Sequence, residues 1–184
     1  MTPLSKFTIT TAATILLSAP SMAADWFVGG GLGFGQNDYS FKSANGVELK
    51  DDDNSAVFAL RGGLYLTPQQ RLYATYNYQS FDFASQHTGL VSYDYLVPIS
   101  HSKKLNWFIG ASAGFNYTSP DMGGSSSSDF VWGGQTGLSY HMSNGLSTEV
   151  GYRYLKQDYE SINNAGKLTL DNSQQLYFSL DYRF

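Results

Sequence analysis

The sequence predicts an all-β chain, an eight-stranded antiparallel transmembrane up-and-down β-barrel. Three observations predict it. Large apolar or aromatic residues recur at every second position in eight separate runs, as expected of strands with two unlike faces. Lysine keeps out of those runs: Lys42, Lys50, Lys103, Lys104, Lys156 and Lys167 all fall in connections or at strand ends, whereas a water-facing strand surface would carry several. The positions between the apolar ones hold Gly, Ser, Asn and Gln with a few charges of both signs, a composition suited to an enclosed space.

The chain opens with a targeting segment. Lys6 is the one charge before Asp25, the run from Phe7 to Ala19 is apolar and Thr-rich, and Ser21-Met22-Ala23 presents small residues at a signal-peptidase site. Residues 1–23 are read as a signal peptide and 24–184 as the barrel domain. The apolar run is too short to cross a bilayer as a helix.

In the first strand Trp26, Val28, Leu32 and Phe34 oppose Gly29, Gly31 and Gly33. The second, residues 55–65, sets Ala56, Phe58, Leu60 and Leu64 against Val57, Ala59, Arg61 and Gly63. The third, about 71–83, sets Leu72, Ala74, Tyr76 and Tyr78 against Arg71, Thr75, Asn77 and Gln79. In the fourth, about 89–97, Val91, Tyr93, Tyr95 and Val97 oppose Ser92 and Asp94. The fifth is the cleanest: Trp107, Ile109, Ala111, Ala113, Phe115 and Tyr117 alternate with Phe108, Gly110, Ser112, Gly114 and Asn116. The sixth opposes Phe130, Trp132, Thr136, Leu138 and Tyr140 to Gly133, Gln135, Gly137 and Ser139. The seventh opposes Leu146, Val150, Tyr152 and Tyr154 to Ser147, Glu149, Gly151, Arg153 and Gln157. The eighth ends the chain, with Leu176, Phe178, Leu180, Tyr182 and Phe184 on its apolar face.

A soluble barrel alternates too, with its apolar set inside. The missing lysines, the small polar set and the gathering of Trp and Tyr toward the ends of the apolar face reverse that assignment, because aromatic girdles mark the two membrane interfaces. The apolar face therefore points at lipid. Inside hydrocarbon every backbone N–H and C=O needs a partner, so the sheet must close. Arg61, Asp94, Glu149, Arg153, Asp181 and Arg183 are then expected to form a charge network in the lumen.

Connections after the second, fourth and sixth strands are short, Asn144-Gly145 suiting a tight turn, and should face the periplasm. Those after the first, fifth and seventh, residues 35–54, 118–128 and 158–172, read as long polar outward loops; the one around Ala84 to Thr88 is modest. The first, with Asp38, Lys42, Glu48 and Lys50 among Tyr39 and Phe41, is the expected contact surface.

The chain has no cysteine, which excludes a disulfide framework and thiolate metal sites. A formal charge of −4, one unit more negative once Lys6 is removed, and no basic stripe speak against nucleic-acid binding.

The signal segment, the eight alternating runs, the segment from Leu138 to Leu146 running on to Gly151-Tyr152-Arg153-Tyr154-Leu155, and the terminal Tyr-x-Phe resemble the small outer-membrane barrels of Gram-negative bacteria. The group in question is the OmpA-barrel, OmpX and opacity-protein-like porin family. The resemblance implies an outer-membrane location, outer-membrane lipids and lipopolysaccharide as surroundings, and a last strand read by the barrel-assembly machinery through Leu176, Phe178, Leu180, Tyr182 and Phe184.

His141-Met142-Ser143-Asn144 resembles the His-x-Ser-Asn segment of an eight-stranded lipid A deacylase, in which imidazole activates a hydroxyl and a carboxylate orients the imidazole. Here the segment falls at a periplasmic turn, and Glu149 stands at a different distance downstream. Asp51-Asp52-Asp53-Asn54 lacks EF-hand spacing and reads as a solvated acidic stretch; Ser125–Ser128 reads as a flexible tip, and His87 and His101 as isolated loop or turn residues. The expected function is non-catalytic, acting through surface loops in contact, adhesion or envelope integrity, with no cofactor. A narrow channel along inward glycines at 29, 31, 33, 110, 114, 133, 137 and 151 is the alternative, and a lipid A hydrolase the third reading.

Overall fold

The computed structural model describes residues 25–43, 48–80, 84–120, 127–142, 145–163 and 166–184, with side chains over 25–36, 55–80, 85–118, 128–142, 145–157 and 172–184. The signal segment, the acidic side chains of 51–54, the side chains of the first outward connection and the tip at 121–126 lie outside that description.

Eight strands run β1 (Asp25–Ser43), β2 (Glu48–Thr67), β3 (Gln70–Ser80), β4 (Ala84–Pro98), β5 (Leu105–Pro120), β6 (Ser127–His141), β7 (Leu146–Asn163) and β8 (Gly166–Arg183). Each pairs antiparallel with the next, and β1 pairs with β8, so the sheet is a closed barrel. Closure lets the spanning strands satisfy their backbone groups without water. Every assigned face holds: Phe34, Leu60, Val91, Phe115, Val150 and Leu176 are exposed on the outside, while Arg61, Asp94, Ser112, Gln135, Glu149 and Ser179 are buried within. Tyr95, Trp107, Tyr140, Tyr182 and Phe184 ring the end with the short turns; Phe34, Tyr78, Tyr117 and Tyr154 ring the other.

The short turns are tight. Ile99 N–H donates to the Leu105 carbonyl at 3.0 Å across a loop in which Lys103 takes a left-handed φ of 55°. Met142 N–H donates to Leu146 at 2.8 Å, and Gly145 takes the left-handed conformation, φ 78°, that this reversal needs.

The outward connections differ from the sequence expectation. Residues 35–54 are not a loop: β1 and β2 stay paired from Gly35↔Ser55 through Lys42↔Glu48. Likewise β7 and β8 remain paired out to Asn163↔Gly166. Residues 118–120 belong to β5 and 127–128 to β6, and Ala84 to Thr88 begin β4. Beyond the bilayer neither face of a hairpin meets lipid, so the apolar alternation that marks a spanning strand fades while the backbone ladder continues.

The interior is also more apolar than its polar composition implied. Phe27, Tyr65, Tyr73, Leu96, Phe108 and Tyr177 pack together, and Leu90, Val131 and Leu155 form a second cluster nearer the outer end. Inward glycines make room for these side chains rather than for water. Gly63 is the register partner of both Phe27 and Tyr73, whose rings meet at 5.9 Å between centroids. Gly137 and Gly151 lie side by side between Phe108 and Tyr177, and an added Cβ at either would strike one of those rings.

Candidate site: the lumen charge cluster

Five strands contribute to one buried ionic cluster. Arg61 on β2 binds Glu149 Oε1 on β7 through Nη1 and Asp181 Oδ2 on β8 through Nη2, both at 2.9 Å. Arg71 on β3 binds Asp94 Oδ2 on β4 and Glu149 Oε2 through Nη2, both at 2.6 Å, and its Nε adds a bond to Asp94 Oδ2 at 2.9 Å. β3 and β7 are four strands apart in either direction around an eight-stranded barrel, so the Arg71–Glu149 pair spans the lumen's diameter.

Hydroxyls and an amide complete the carboxylates' coordination. Tyr73 donates to Asp94 Oδ2 at 3.0 Å and Tyr177 to Glu149 Oε1 at 3.1 Å. Gln135 Nε2 donates to Asp94 Oδ1 at 2.5 Å and to the Tyr73 hydroxyl oxygen at 2.7 Å, while its Oε1 accepts from Arg153 Nε at 2.9 Å and from Ser112 at 2.6 Å. Tyr73 stands between two guanidiniums, with Arg61 4.9 Å and Arg71 5.1 Å from its ring centre; Arg153 lies 5.1 Å over Tyr177. Among the described residues the buried charges are Arg61, Arg71 and Arg153 against Asp94, Glu149 and Asp181, a set that balances. Burial of ions is tolerable only when charges are paired and their remaining lone pairs and protons are bonded, and this arrangement meets that condition closely.

Of the residues expected from sequence, Arg61, Asp94, Glu149 and Asp181 come together here, and Arg153 joins through Gln135. Arg183 does not. It lies one register step too near the terminus, at the periplasmic rim, where it pairs with Asp25 and covers the Tyr65 ring at 4.6 Å. Arg71, Tyr73, Gln135 and Tyr177 complete the cluster without having been singled out. Their signal was parity, since each shares the inward face with a residue that was.

Chemistry of the triad kind is not assembled among the described residues. His141 ends β6 with Nδ1 facing Asn106 Nδ2 at 3.0 Å and Nε2 facing the Tyr65 hydroxyl at 3.5 Å, whereas Glu149 is held by Arg61, Arg71 and Tyr177. Ser143 lies outside the described residues. His87 is not in a loop but in β4, on the outer face, its Nδ1 2.6 Å from the Tyr76 hydroxyl.

At the seam, Leu176, Phe178, Leu180, Tyr182 and Phe184 form a continuous outward row, and Phe184 N–H donates to the Trp26 carbonyl at 2.9 Å. A closed eight-strand barrel with lipid-facing rings outside and a neutral ionic core inside has one well-populated home. The outer membrane protein β-barrel domain model matches residues 9–184. The chain belongs to that family. It is an outer-membrane β-barrel protein, in a membrane lipid environment.

Solved structures agree. Outer membrane protein H (OprH) of P. aeruginosa, determined in DHPC micelles, is 28% identical, with 88% of this chain and 100% of that one covered at a TM-score of 0.59. Neisserial surface protein A shares 18% identity over 86% of this chain and 97% of its own, TM-score 0.64. OprG from Pseudomonas aeruginosa shares 12% over 88% and 96%, TM-score 0.62. No curated protein sequence matches the chain.

Proposed function

We propose that this outer-membrane barrel is non-catalytic and non-conducting, and that it works through its extracellular hairpins as a surface-contact protein. The observation that carries the reading is the extension of β1 and β2 as one paired ladder from Gly35↔Ser55 to Lys42↔Glu48, beyond the upper aromatic ring marked by Phe34. A two-stranded ladder presents Asp38, Tyr39, Phe41, Lys42, Glu48 and Lys50 on a preordered frame, so less chain entropy opposes binding than a loose loop would lose. The diameter-spanning Arg71–Glu149 pair supports the non-conducting part of the reading. In the same reading, lipopolysaccharide surrounds the upper aromatic ring, and the outward row from Leu176 to Phe184 is the signal for the barrel-assembly machinery.

Replacing residues 40–50 by a short Gly-Ser turn tests it. Cells carrying the trimmed protein should still show a barrel whose electrophoretic mobility shifts on boiling, yet adhere to an epithelial monolayer no better than an empty-vector strain. Adhesion retained by the trimmed barrel, or none conferred by the parent, overturns the reading.

A further inference from the structure

Most buried polar atoms in the lumen are paired within the protein, but six that are not stand together on one wall. Ser55 Oγ, Arg61 Nε, Thr75 Oγ1, Asn77 Oδ1, Gln79 Oε1 and Ser179 Oγ have no protein hydrogen-bond partner, and each belongs to a residue more than nine-tenths buried. Register makes them a column. Arg61 lies beside Thr75, Ala59 beside Asn77 and Val57 beside Gln79, a climb toward the outer end that finishes at Ser55. On the other side, Gly29, Gly31, Gly33 and Gly35 of β1 oppose Arg61, Ala59, Val57 and Ser55 in turn, and Ser179 faces Gly31 from β8.

The row through Gly31 differs from the rows that large side chains fill. Its neighbours are Ala59 and Ser179, too short to cross over it. A cavity remains there, lined among others by Gly31, Ala59, Arg61, Thr75, Asn77 and Ser179, with about 10 Å³ open to the centre of a water molecule. One buried water needs roughly that much, about 10–15 Å³, and two to four polar partners. The column supplies such partners at each step, and without water each would carry the penalty of an unmade hydrogen bond.

Below Arg61 the file has nowhere to go. Both terminal nitrogens of Arg61 are bound to carboxylates, and the rings of Phe27 and Tyr73 lie against its guanidinium at 5.8 and 4.9 Å. We propose that a single file of water enters the barrel from the extracellular end along the glycine wall of β1 and stops at Arg61, making a blind, hydrated half-passage too narrow for hydrated ions. The ligand is water, and the ionic cluster is then in proton exchange with the outside and not with the periplasm. This goes beyond the surface-contact reading, and a negative adhesion result leaves it standing.

Water-to-protein magnetisation transfer, measured by NMR on the full barrel in micelles, tests it at the arginine Nε–H groups. Arg61 Nε–H should exchange with water at least about tenfold faster than Arg71 Nε–H, which is bound to Asp94. Ala59→Leu, which fills the cavity, and Gln79→Leu, which stoppers the outer end, should each bring Arg61 down to the Arg71 rate, while Asn106→Leu at the periplasmic mouth should leave it fast. The proposal is overturned if Arg61 is as protected as Arg71, if both Ala59→Leu and Gln79→Leu leave it fast, or if Asn106→Leu slows it. Should Ala59→Leu fail to fold, Gln79→Leu decides alone.

Discussion

Arg61 and Asp181 meet across Gly29. The glycine is the register partner of Arg61 on one side and of Asp181 on the other, and the 2.9 Å ion pair passes directly over its α-carbon. A Cβ at Gly29 would strike Asp181 Oδ1 and lie close to the Leu180 carbonyl. The same construction recurs at Gly110, partner of both Asp94 and Gln135, which bond to each other over it. Inward glycines in this barrel are crossing points for their neighbours' side chains.

Gly29→Ala should therefore destabilise the barrel by about 1–3 kcal/mol, the range for overpacking a filled interior. Gly30→Ala is the matched control. It faces outward, its new methyl would meet nothing nearer than the Ala59 carbonyl at 3.6 Å, and stability should stay within about 0.5 kcal/mol. Urea unfolding of both variants in micelles, followed by tryptophan fluorescence, gives the comparison; equal losses would mean that the crossing geometry does not matter.

Glu149 is the shared anion of the cluster, bound by Arg61 and Arg71 at once. Glu149→Gln leaves three buried guanidiniums facing two carboxylates, and removal of one partner of a buried pair costs about 3–5 kcal/mol. Adding Arg71→Met restores the balance, so the double variant should be more stable than the sum of the single losses by about 1 kcal/mol or more. A double-mutant cycle in the same unfolding assay would show strict additivity if the charges did not act as a unit.

What the sequence made legible followed from the two solvents. Lipid outside and a confined polar space inside keep the faces of each spanning strand unlike, so Trp107, Ile109 and Ala111 could be set against Phe108, Gly110 and Ser112 without knowing any neighbour. Strand partners are another matter. That Gly29 lies between Arg61 and Asp181, or that Arg71 reaches Glu149, depends on register across β1, β2, β3, β7 and β8, and no single strand carries that information. Hence the inward glycines read as empty volume, Arg71 went unpaired, and Arg183 was drawn into a network that its position at the rim denies it. The extended hairpins were hidden for a related reason: Asn37↔Asp53 and Asp38↔Asp52 carry turn-type and acidic residues that read as loop, although their backbones pair.

The facing of the sheet predicts a depth-dependent penalty. Ala111 is exposed on the outer face midway between Trp107 and Tyr117, in the middle of the span. Ala111→Arg should lower stability in lipid vesicles by about 2–4 kcal/mol, and Asn172→Arg, beside Tyr154 at the upper ring, by only about 0–1 kcal/mol. Denaturant titration of vesicle-inserted protein measures both, and an Ala111→Arg variant as stable as the parent would place that face away from hydrocarbon.

Conductance is the sharpest test of the closed lumen. The channel alternative needs a continuous path, and Arg153 is the group whose removal would open one most readily, because it stands outward of the cluster and is tied to it only through Gln135. Its loss leaves Arg71–Glu149 across the full diameter, Arg61 bound to Glu149 and Asp181 beside it, and Tyr73, Phe108 and Tyr177 packed against these groups. An ion reaching that layer would have to shed its water and displace a pair held at 2.6 Å in a site with no net charge to favour it. Planar bilayers containing the parent or Arg153→Ala should accordingly show no unitary steps, whereas a Glu149→Gln/Arg71→Met barrel, which lacks the diameter-spanning bridge, is the variant in which rare openings should first be seen. Steps in the parent protein would mean that the bridge opens thermally on the time scale of the recording, and that the barrel is a gated channel rather than a closed support for its hairpins.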